Sequence, residues 1–237
     1  MRIAICDDEK YFRDVLKEQL NKYTNEYGVD FVYSEFSSGE LLLESNIDFD
    51  LIFIDYQMHS INGIDTIDFL RKRNDKTIVI FISSYPNIVF DSLKVDTHRF
   101  LVKPLKYNDL CEAINSFFKK YNSNAYILVF DEENDKMRKI NETDIIYVMA
   151  DNIYCKIMTI DRIYLHKETL SKFQKKLKSD FFYRSHRSYL VNFHYIDNYS
   201  DSKIFFENEE QAQLTKVKHN DFQKKYMAFL KRRLTGV

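Results

Sequence analysis

The 237-residue sequence contains few of the residues that interrupt regular structure. It has four glycines and two prolines, which predicts short loops and argues against a collagen-like or linker-rich chain. The three cysteines, Cys6, Cys111 and Cys155, are odd in number and form no CxxC pair or Cys/His cluster. We therefore expect reduced thiols and no structural metal site built on them.

Long hydrophobic runs are also absent. Runs such as LIFI and IVIFI are far shorter than the ~20 residues that span a bilayer. The first strand-like run begins almost directly after Met1, which leaves no room for a secretory signal. No GxxxxGK[ST] motif occurs, which argues against a P-loop NTPase. These absences predict a cytoplasmic protein without a membrane partner.

The composition that remains is ordinary for a globular protein, but its charge is unevenly divided. Residues 1–120 carry 15 Lys and Arg against 20 Asp and Glu, a net charge of −5. Residues 121–237 carry 20 against 16, a net charge of +4. An acidic first half suits a cation site, and a basic second half weakly indicates a polyanionic partner.

The first half alternates strand-like and helix-like segments. Apolar runs at 2–7, 31–36, 50–55, 77–83 and 98–102 are each followed by a stretch with helical spacing. This order predicts βαβ units with right-handed crossovers. The expected fold is an α/β doubly wound domain with a five-stranded parallel sheet.

Five polar residues stand where these apolar runs end: Asp7, Asp8, Asp55, Ser83 and Lys103. The carboxyl ends of parallel strands form one edge of the sheet, so these side chains are expected to meet in one crevice. Clustered carboxylates repel one another unless a hard cation joins them. The pattern therefore predicts a Mg²⁺ site that accepts a phosphoryl group on Asp55.

The second half has a different pattern. It contains many short β-prone runs separated by polar turns such as 131–135 and 207–210, and only 168–178 and 219–234 have helical spacing. The runs lie at 126–130, 136–140, 144–150, 152–160, 162–166, 183–192, 203–207 and 211–215. Many short strands with few helices indicate a predominantly β domain. The expected boundaries are 1–121 for the first domain, 122–126 for a linker and 127–237 for the second domain.

Residues 1–120 resemble the receiver domain of two-component response regulators over their whole length. The five strand-end residues and the Lys103–Pro104 dipeptide lie in the order and spacing of that family. The resemblance implies that Asp55 is the phosphoacceptor. It also implies a Mg²⁺ ion held by Asp7, Asp8, Asp55 and the backbone carbonyl of Gln57.

The same resemblance implies a switch. Lys103 would neutralise charge on the phosphoryl oxygens, Ser83 would hydrogen-bond one of them, and Phe100 would turn with the loop after the fourth strand. The remodelled face, roughly residues 85–121, would then favour a homodimer. This sequence has His59 where the family usually has a proline, so the family's conformation for that loop does not carry over.

Two other interpretations of the strand-end residues were weighed. Single acids at strand ends are usually ordinary surface residues, but five such residues in register are not expected by chance. A hydrolase of the haloacid-dehalogenase type needs a DxD arrangement on its first strand, whereas ICDDE offers adjacent acids at Asp7 and Asp8. The phosphorylation switch is therefore favoured.

Residues 126–237 resemble the LytTR-type DNA-binding domain, above all in FFYRSHRSYLVN at 181–192. The resemblance implies that loops between strands read the DNA major groove. The residues of these loops would have three roles: some would contact bases, others would contact the DNA backbone, and the rest would brace the loops. The candidates for base contacts are Asn152 or Tyr154, Arg187 and Lys216; those for backbone contacts are Lys156, Ser185 and Lys218; those for bracing are Arg184, His186, Ser188 and Asn192.

Together the two resemblances imply a transcriptional response regulator. A sensor histidine kinase would phosphorylate Asp55, and the resulting homodimer would bind double-stranded DNA at specific sequences. Such a protein stores a signal, so we expect no enzyme activity beyond its own phosphoryl transfer and slow dephosphorylation. From the residues alone the β half fits a protein-interaction module equally well, which leaves a phosphorylation-controlled adaptor as the alternative.

Overall fold

A computed structural model describes residues 1–73, 75–84, 95–131 and 135–234. Contacts divide the chain into two units, Met1–Phe117 and Phe118–Val237. A helix at Tyr107–Ser123 crosses that division. The domain boundaries expected at 121 and 127 stay a prediction.

The first unit contains the predicted five-stranded parallel sheet. Its strands are β1 (Arg2–Cys6), β2 (Val32–Phe36), β3 (Leu51–Asp55), β4 (Ile78–Ser83) and β5 (Arg99–Val102). They pair in the order β2-β1-β3-β4-β5, with β1 and β3 side by side in the centre. Every residue of β3 is buried, as expected for a strand covered on both faces.

Within the described residues, helices follow β1, β2, β3 and β5, as the sequence pattern predicted. They are α1 (Lys10–Tyr27), α2 (Gly39–Glu44), α3 (Gly63–Lys72) and α4 (Tyr107–Ser123). The side chain of Ser38 caps α2 and that of Asn62 caps α3, each by accepting a hydrogen bond from a backbone N–H. The part of the predicted switch face at 85–94 lies outside the described residues.

The second unit is predominantly β, as predicted. Its strands are β6 (Tyr126–Asp131), β7 (Lys136–Asn141), β8 (Ile145–Asp151), β9 (Tyr154–Thr159), β10 (Ile163–His166), β11 (Phe182–His186), β12 (Tyr189–Asn192), β13 (Ile196–Tyr199), β14 (Lys203–Phe206) and β15 (Gln211–Gln213). They form sheets ordered β10-β9-β8-β12-β11, β13-β14-β15 and β6-β7. Pairing within these sheets is antiparallel.

Three details of the second unit differ from the sequence prediction. The run 183–192 is two strands, because the chain turns at 187–188 between β11 and β12. Strand β13 was not predicted. The helix expected at 168–178 is the shorter α5 (Leu170–Lys176), whose start is fixed by a cap from Thr169. Of the predicted turn at 131–135, residues 132–134 lie outside the described residues.

The last helix, α6 (His219–Leu234), has the predicted bounds and closes an aromatic core. Its Phe222, Tyr226 and Phe229 contact the ring of Phe193 with centroids 5.4–5.9 Å apart. The apolar stripe on this helix is therefore core packing, as expected. Among the described residues, no helix is both long and apolar enough to cross a membrane.

Candidate functional sites: a strand-end acid cluster and a basic loop surface

The central strands of the first unit bring three carboxylates together. Asp55 is the last residue of β3, and Asp7 and Asp8 directly follow its neighbour β1. The parallel register pairs Cys6 with Ile54, so the residues that follow are side by side. One oxygen from each carboxylate lies within 4.8 Å of the others. Asp7 and Asp55 are buried, and Asp8 is partly exposed.

One ammonium group joins two of these acids. Lys103 follows β5, and its Nζ donates hydrogen bonds to Asp7 Oδ2 at 2.7 Å and to Asp55 Oδ2 at 2.8 Å. The backbone N–H of Lys103 donates to the Ser83 carbonyl at 2.9 Å, which ties the ends of β4 and β5 together. The Phe12 ring of α1 lies 3.8 Å from Nζ. Charge-assisted bonds and a cation–π contact therefore fix this side chain.

Burial and charge shift two pKa values in the cluster. Burial raises the pKa of Asp7, although its hydrogen bond from Lys103 opposes that shift. Burial alone would lower the pKa of Lys103, but the hydrogen bonds to Asp55 and Asp7 outweigh it and raise the pKa. Lys103 is therefore stabilised in its charged form, whereas burial makes the charged form of Asp7 less favourable.

A glycine allows the chain to turn back beneath Asp55. The backbone N–H of Gly63 donates to the Tyr56 carbonyl at 2.8 Å, at the start of α3. A Cβ at position 63 would lie 2.2 Å from the carbonyl oxygen of Asp55 and 3.0 Å from the Phe81 ring. Only a residue without a side chain fits here, because backbone on one side and a buried ring on the other cannot both yield.

The acid cluster fits a divalent cation. Three carboxylates face one ammonium, which leaves an excess of two negative charges. Among the described residues, Oδ1 of Asp55 is buried and accepts no hydrogen bond. A hard cation prefers oxygen ligands of this kind, and a buried carboxylate oxygen without a donor is costly otherwise. These residues can therefore hold Mg²⁺.

A cleft of about 450 Å³ opens onto the cluster. Asp8, Gln57 and Ser83 line it, and Gln57 is exposed while Ser83 is fully buried. Phe100 is half-buried on β5 and pairs in register with Phe81 of β4. The structure thus brings Asp8, Asp55, Gln57, Ser83 and Lys103 to one cleft. Asp7 joins them through its bond from Lys103, and Phe100 lies on β5.

Sequence reasoning did not find two contacts of this cluster. Nδ1 of His59 forms a short contact with Oδ2 of Asp8, and the His59 side chain is otherwise exposed. The other missed contact is the Phe12 ring against Lys103. The replacement of proline by histidine was visible in the sequence, but its partner was not, because 51 residues separate His59 from Asp8.

Three loops of the second unit are linked at one end of its main sheet. Strands β8 and β12 are neighbours, and Ala150 N donates to the Ser188 carbonyl at 2.9 Å. The β8–β9 turn at 152–153 and the β11–β12 turn at 187–188 therefore lie at the same end. A third loop ends in the 3₁₀ turn Lys216–Lys218. Both Thr215 N and its hydroxyl donate to the Ser185 carbonyl, at 3.1 and 2.9 Å.

Buried and half-buried polar groups brace these loops. Arg184 donates through Nε to the His186 carbonyl at 2.8 Å and through Nη2 to the Arg187 carbonyl. Nδ1 of His186 accepts from Ser188 N at 3.1 Å. Asn192 is fully buried and donates to the Ile145 carbonyl at 2.7 Å. Arg184, His186 and Ser188 thus have the contacts expected of a brace, whereas the Asn192–Ile145 bond lies at the other end of β12, away from these loops.

The residues expected to contact a ligand differ in exposure. Asn152, Arg187 and Lys216 are exposed, whereas Tyr154, Lys156 and Lys218 are partly buried. Asn152 has a φ of 54°, which asparagine adopts more easily than most residues. The backbone conformation of the turn is therefore enough to explain an asparagine at this position. Nζ of Lys218 donates to the Arg184 carbonyl at 2.5 Å and thereby also braces the loops.

Ser185 is placed differently from the sequence expectation. It is fully buried, and its hydroxyl has no hydrogen-bond partner among the described residues. Along β11, burial alternates so that Tyr183 and Ser185 both point inward while the residues between and after them are half-exposed. A hydroxyl on the inward face cannot reach a ligand outside, and we correct its assignment as a backbone contact.

Comparison with protein families assigns each half of the chain. Residues 3–115 match the family described as "Response regulator receiver domain". Residues 135–227 match the family described as "LytTr DNA-binding domain". The first match includes the acid cluster and its cleft, and the second includes all three loops.

Two proteins of Bacillus subtilis are similar to this chain over most of their length. The sensory transduction protein LytT of Bacillus subtilis is 27% identical over 209 residues, which cover 83% of this chain and 84% of that protein. The transcriptional regulatory protein NatR of the same organism is 24% identical over 236 residues, 95% and 99% of the two chains. The crystal structure of the response regulator TrrA from Thermotoga maritima is 24% identical, covers 49% of this chain and 97% of its own, and has a TM-score of 0.44.

Proposed function

The chain belongs to the response regulators that join a receiver domain to a LytTR DNA-binding domain, and we propose that phosphorylation of Asp55 controls its binding to DNA. The proposal is carried by one observation above the others. In the part of the chain that the structure describes, Asp55 has one buried oxygen without a hydrogen-bond donor and a second oxygen bonded to Lys103, and it lines an open cleft.

The carboxylate of Asp55 would be the nucleophile in phosphoryl transfer, and neighbouring groups would stabilise the charge that develops. The carboxylate attacks the phosphorus of a phosphohistidine on the partner kinase; the new O–P bond forms as the P–N bond breaks, and the imidazole leaves. Lys103 stabilises negative charge that develops on the phosphoryl oxygens. Bound Mg²⁺, held by Asp7, Asp8, Asp55 and the carbonyl of Gln57, would supply further charge neutralisation. Ser83, at the cleft wall, would hydrogen-bond the transferred group.

The phosphorylated form would be a homodimer. Ser83 and Lys103 are tied through their backbones at the ends of β4 and β5, so a bond from Ser83 to the phosphoryl group would act on both strands. Phe100 lies on β5, where such a change would reach it. Dimerisation would then place two LytTR domains on adjacent DNA sites and raise their joint affinity.

In the second unit, Arg187 and Lys216 are the proposed base contacts. Arg187 is exposed on a turn whose carbonyls are bonded to Arg184, and arginine can make a bidentate contact to guanine. Lys216 is exposed on the neighbouring loop. Asn152 or Tyr154 would contact bases from the third loop, and Lys156 and Lys218 would contact phosphates.

Acetyl phosphate tests the acceptor directly. Wild-type protein with Mg²⁺ should gain one acid-labile phosphoryl group, read by intact mass, and Asp55→Asn should gain none. Asp68→Asn is the matched control, because Asp68 is a half-exposed acid on α3 that pairs with Lys72. Labelling of Asp55→Asn at the wild-type rate would show that the acceptor is another residue.

Salt dependence separates DNA binding from the adaptor alternative. Binding to a duplex selected from a random pool should weaken steeply as salt rises, because bound phosphates release counterions. Arg187→Ala should lower the affinity about tenfold, since one bidentate base contact is lost. If no duplex is retained at low salt, the protein-binding adaptor becomes the better account.

A further inference from the structure

One aliphatic side chain is almost fully exposed on the basic loop surface, which is formed by the turns at 152–153 and 187–188 and the 3₁₀ turn Lys216–Lys218. Val217 is 94% exposed, more than any other large hydrophobic residue among those described. It lies between Lys216 and Lys218 in the 3₁₀ turn. Exposed single hydrophobic residues are common on proteins, so exposure alone carries no argument. What points to a ligand is the position of Val217 among the proposed DNA contacts.

The turn that carries Val217 is fixed at both ends. Lys218 N donates to the Thr215 carbonyl at 2.8 Å, and Thr215 is bonded twice to the Ser185 carbonyl of β11. Nζ of Lys218 reaches back to the Arg184 carbonyl at 2.5 Å. Val217 is therefore presented outward by a braced turn, at the surface that also exposes Arg187.

The chemistry of the flanking residues narrows what Val217 can meet. Two lysines favour a polyanion at this turn, and the phosphate backbone offers no apolar partner to an isopropyl group. The major groove offers one apolar group on base edges, the C5-methyl of thymine. A valine between two cations is thus suited to a ligand that presents a methyl group beside phosphates.

We propose that Val217 contacts the C5-methyl group of a thymine in the DNA and makes the protein select thymine at that position. This inference rests on the proposed function, since it names what one loop residue reads once the domain is on DNA. Arg187 selects guanine by hydrogen bonds, and Val217 selects thymine by apolar contact. The two loops then specify different bases within one site.

Deoxyuridine tests the contact because it differs from thymidine only by the methyl group. A duplex is first selected from a random pool with acetyl-phosphate-treated wild-type protein and Mg²⁺. Each thymine of that duplex is then replaced, one at a time, and the dissociation constants are measured. Replacement at one position per bound chain should weaken wild-type binding about fourfold, the effect of burying one methyl-sized group.

The variants decide whether Val217 makes that contact. Val217→Ala should bind the thymine duplex about fourfold more weakly than wild type and should be insensitive to replacement at the same position. Val217→Ile should keep the sensitivity. Val32→Ala is the matched control, because Val32 is 64% exposed on β2 of the other unit, and it should behave as wild type.

Three results would overturn the inference; the first two leave the proposed function in place, and the third overturns it as well. If wild type and Val217→Ala lose the same factor at every replaced thymine, Val217 does not contact a thymine methyl, while the proposed function stands. An unchanged affinity of Val217→Ala for the thymine duplex leads to the same conclusion and favours a protein partner at this turn. If no duplex is retained at any salt concentration, both the inference and DNA binding are overturned.

Discussion

The acid cluster of the first unit and the loop surface of the second use charged residues in opposite ways. In the cluster, the chemically active side chains are themselves buried: Asp7, Asp55 and Lys103 are 5–8% exposed. In the loop surface the proposed contacts, such as Arg187 and Lys216, are exposed, and the buried polar groups lie beneath them as braces. The acid cluster lies in the interior of the first unit, whereas the proposed DNA contacts lie on the surface of the second unit.

This difference teaches where each site is vulnerable. Buried charges hold one another in place, so removing one member leaves the rest uncompensated. An exposed contact residue can be removed without disturbing the others, because hydrogen bonds from different residues fix the backbone that carries it. Single substitutions should therefore have large effects in the cluster and graded effects in the loops.

The largest effect is expected from Lys103→Met. Loss of the ammonium bonded to Asp7 and Asp55 should lower the rate of phosphorylation by acetyl phosphate about 100-fold, since this group no longer stabilises charge on the phosphoryl oxygens. Mg²⁺ should bind more tightly, because a competing cation is gone. Lys106→Met, which changes an exposed lysine nearby, is the control. A rate within twofold of wild type would refute the view of Lys103 as an integral part of the cluster.

Gly63→Ala should come next. A Cβ placed 2.2 Å from the Asp55 carbonyl must displace backbone, so the free energy of unfolding should fall by about 3 kcal/mol. At Gly39 the nearest atom to a new Cβ is the hydroxyl of Thr66, a side-chain end that can rotate. Gly39→Ala should therefore cost about 1 kcal/mol, the value of the hydrogen bond that Thr66 donates to Asn62. Urea unfolding followed by circular dichroism compares the two; equal losses would mean that the backbone near Asp55 can yield.

A smaller effect is expected from pH, and it should come from the core beneath the loops. His194 packs against Phe181 and Phe229, and burial lowers its pKa to about 4. Below pH 6.5 the unfolded chain binds a proton that the folded chain does not, so stability falls between pH 6.5 and pH 4. The loss from pH 7 to pH 5 should be about 2 kcal/mol.

His194→Gln removes this titration and should flatten the difference between urea midpoints at pH 7 and pH 5. In the first unit, the effect of pH has the opposite sign at Asp7: burial raises its pKa, so protonation of this carboxyl as the pH falls favours the folded form. A wild-type midpoint that is equal at the two pH values would contradict the assignment to His194.

The smallest effect separates a brace from a contact. Arg184→Met breaks the bonds to the His186 and Arg187 carbonyls, so it should lower both the affinity for DNA and the urea midpoint, with a loss of about 0.5 kcal/mol of unfolding free energy for each bond. Arg187→Ala should lower affinity alone. If Arg187→Ala also shifts the midpoint, the distinction between exposed contacts and buried braces does not hold for these loops.

The sequence predicted most of the fold and the membership of the acid cluster. Strand β3 was expected at 50–55 and lies at Leu51–Asp55, and the helix expected at 219–234 has those bounds. Such segments are predictable because apolar periodicity and strand-end polar residues are local features of a sequence. The prediction was weaker where two elements follow each other closely. The turn at 187–188 was hidden within one β-prone run, and β13 was missed because it is short and half polar.

The burial of Ser185 shows what a local pattern can still offer. The resemblance of this segment to a DNA-binding loop predicts that the hydroxyl of Ser185 lies on the surface. The alternation along β11, with Tyr183 inward, would have placed it inside. By contrast, no local signal predicts the contact of His59 with Asp8, the cation–π contact of Phe12 with Lys103, or the outward position of Val217.

The sequence by itself determined which residues end the strands, since strand periodicity and polar termini are encoded within a few positions of each other. It therefore determined that three acids, a serine and a lysine share one sheet edge. The packing of strands and helices decides that Lys103 bonds Asp7 and Asp55, that Oδ1 of Asp55 has no donor among the described residues, and that the braced turn Lys216–Lys218 presents Val217 outward. The reason is physical: distances of 3 Å between groups far apart in sequence depend on how whole strands and helices pack, and no short segment contains that information.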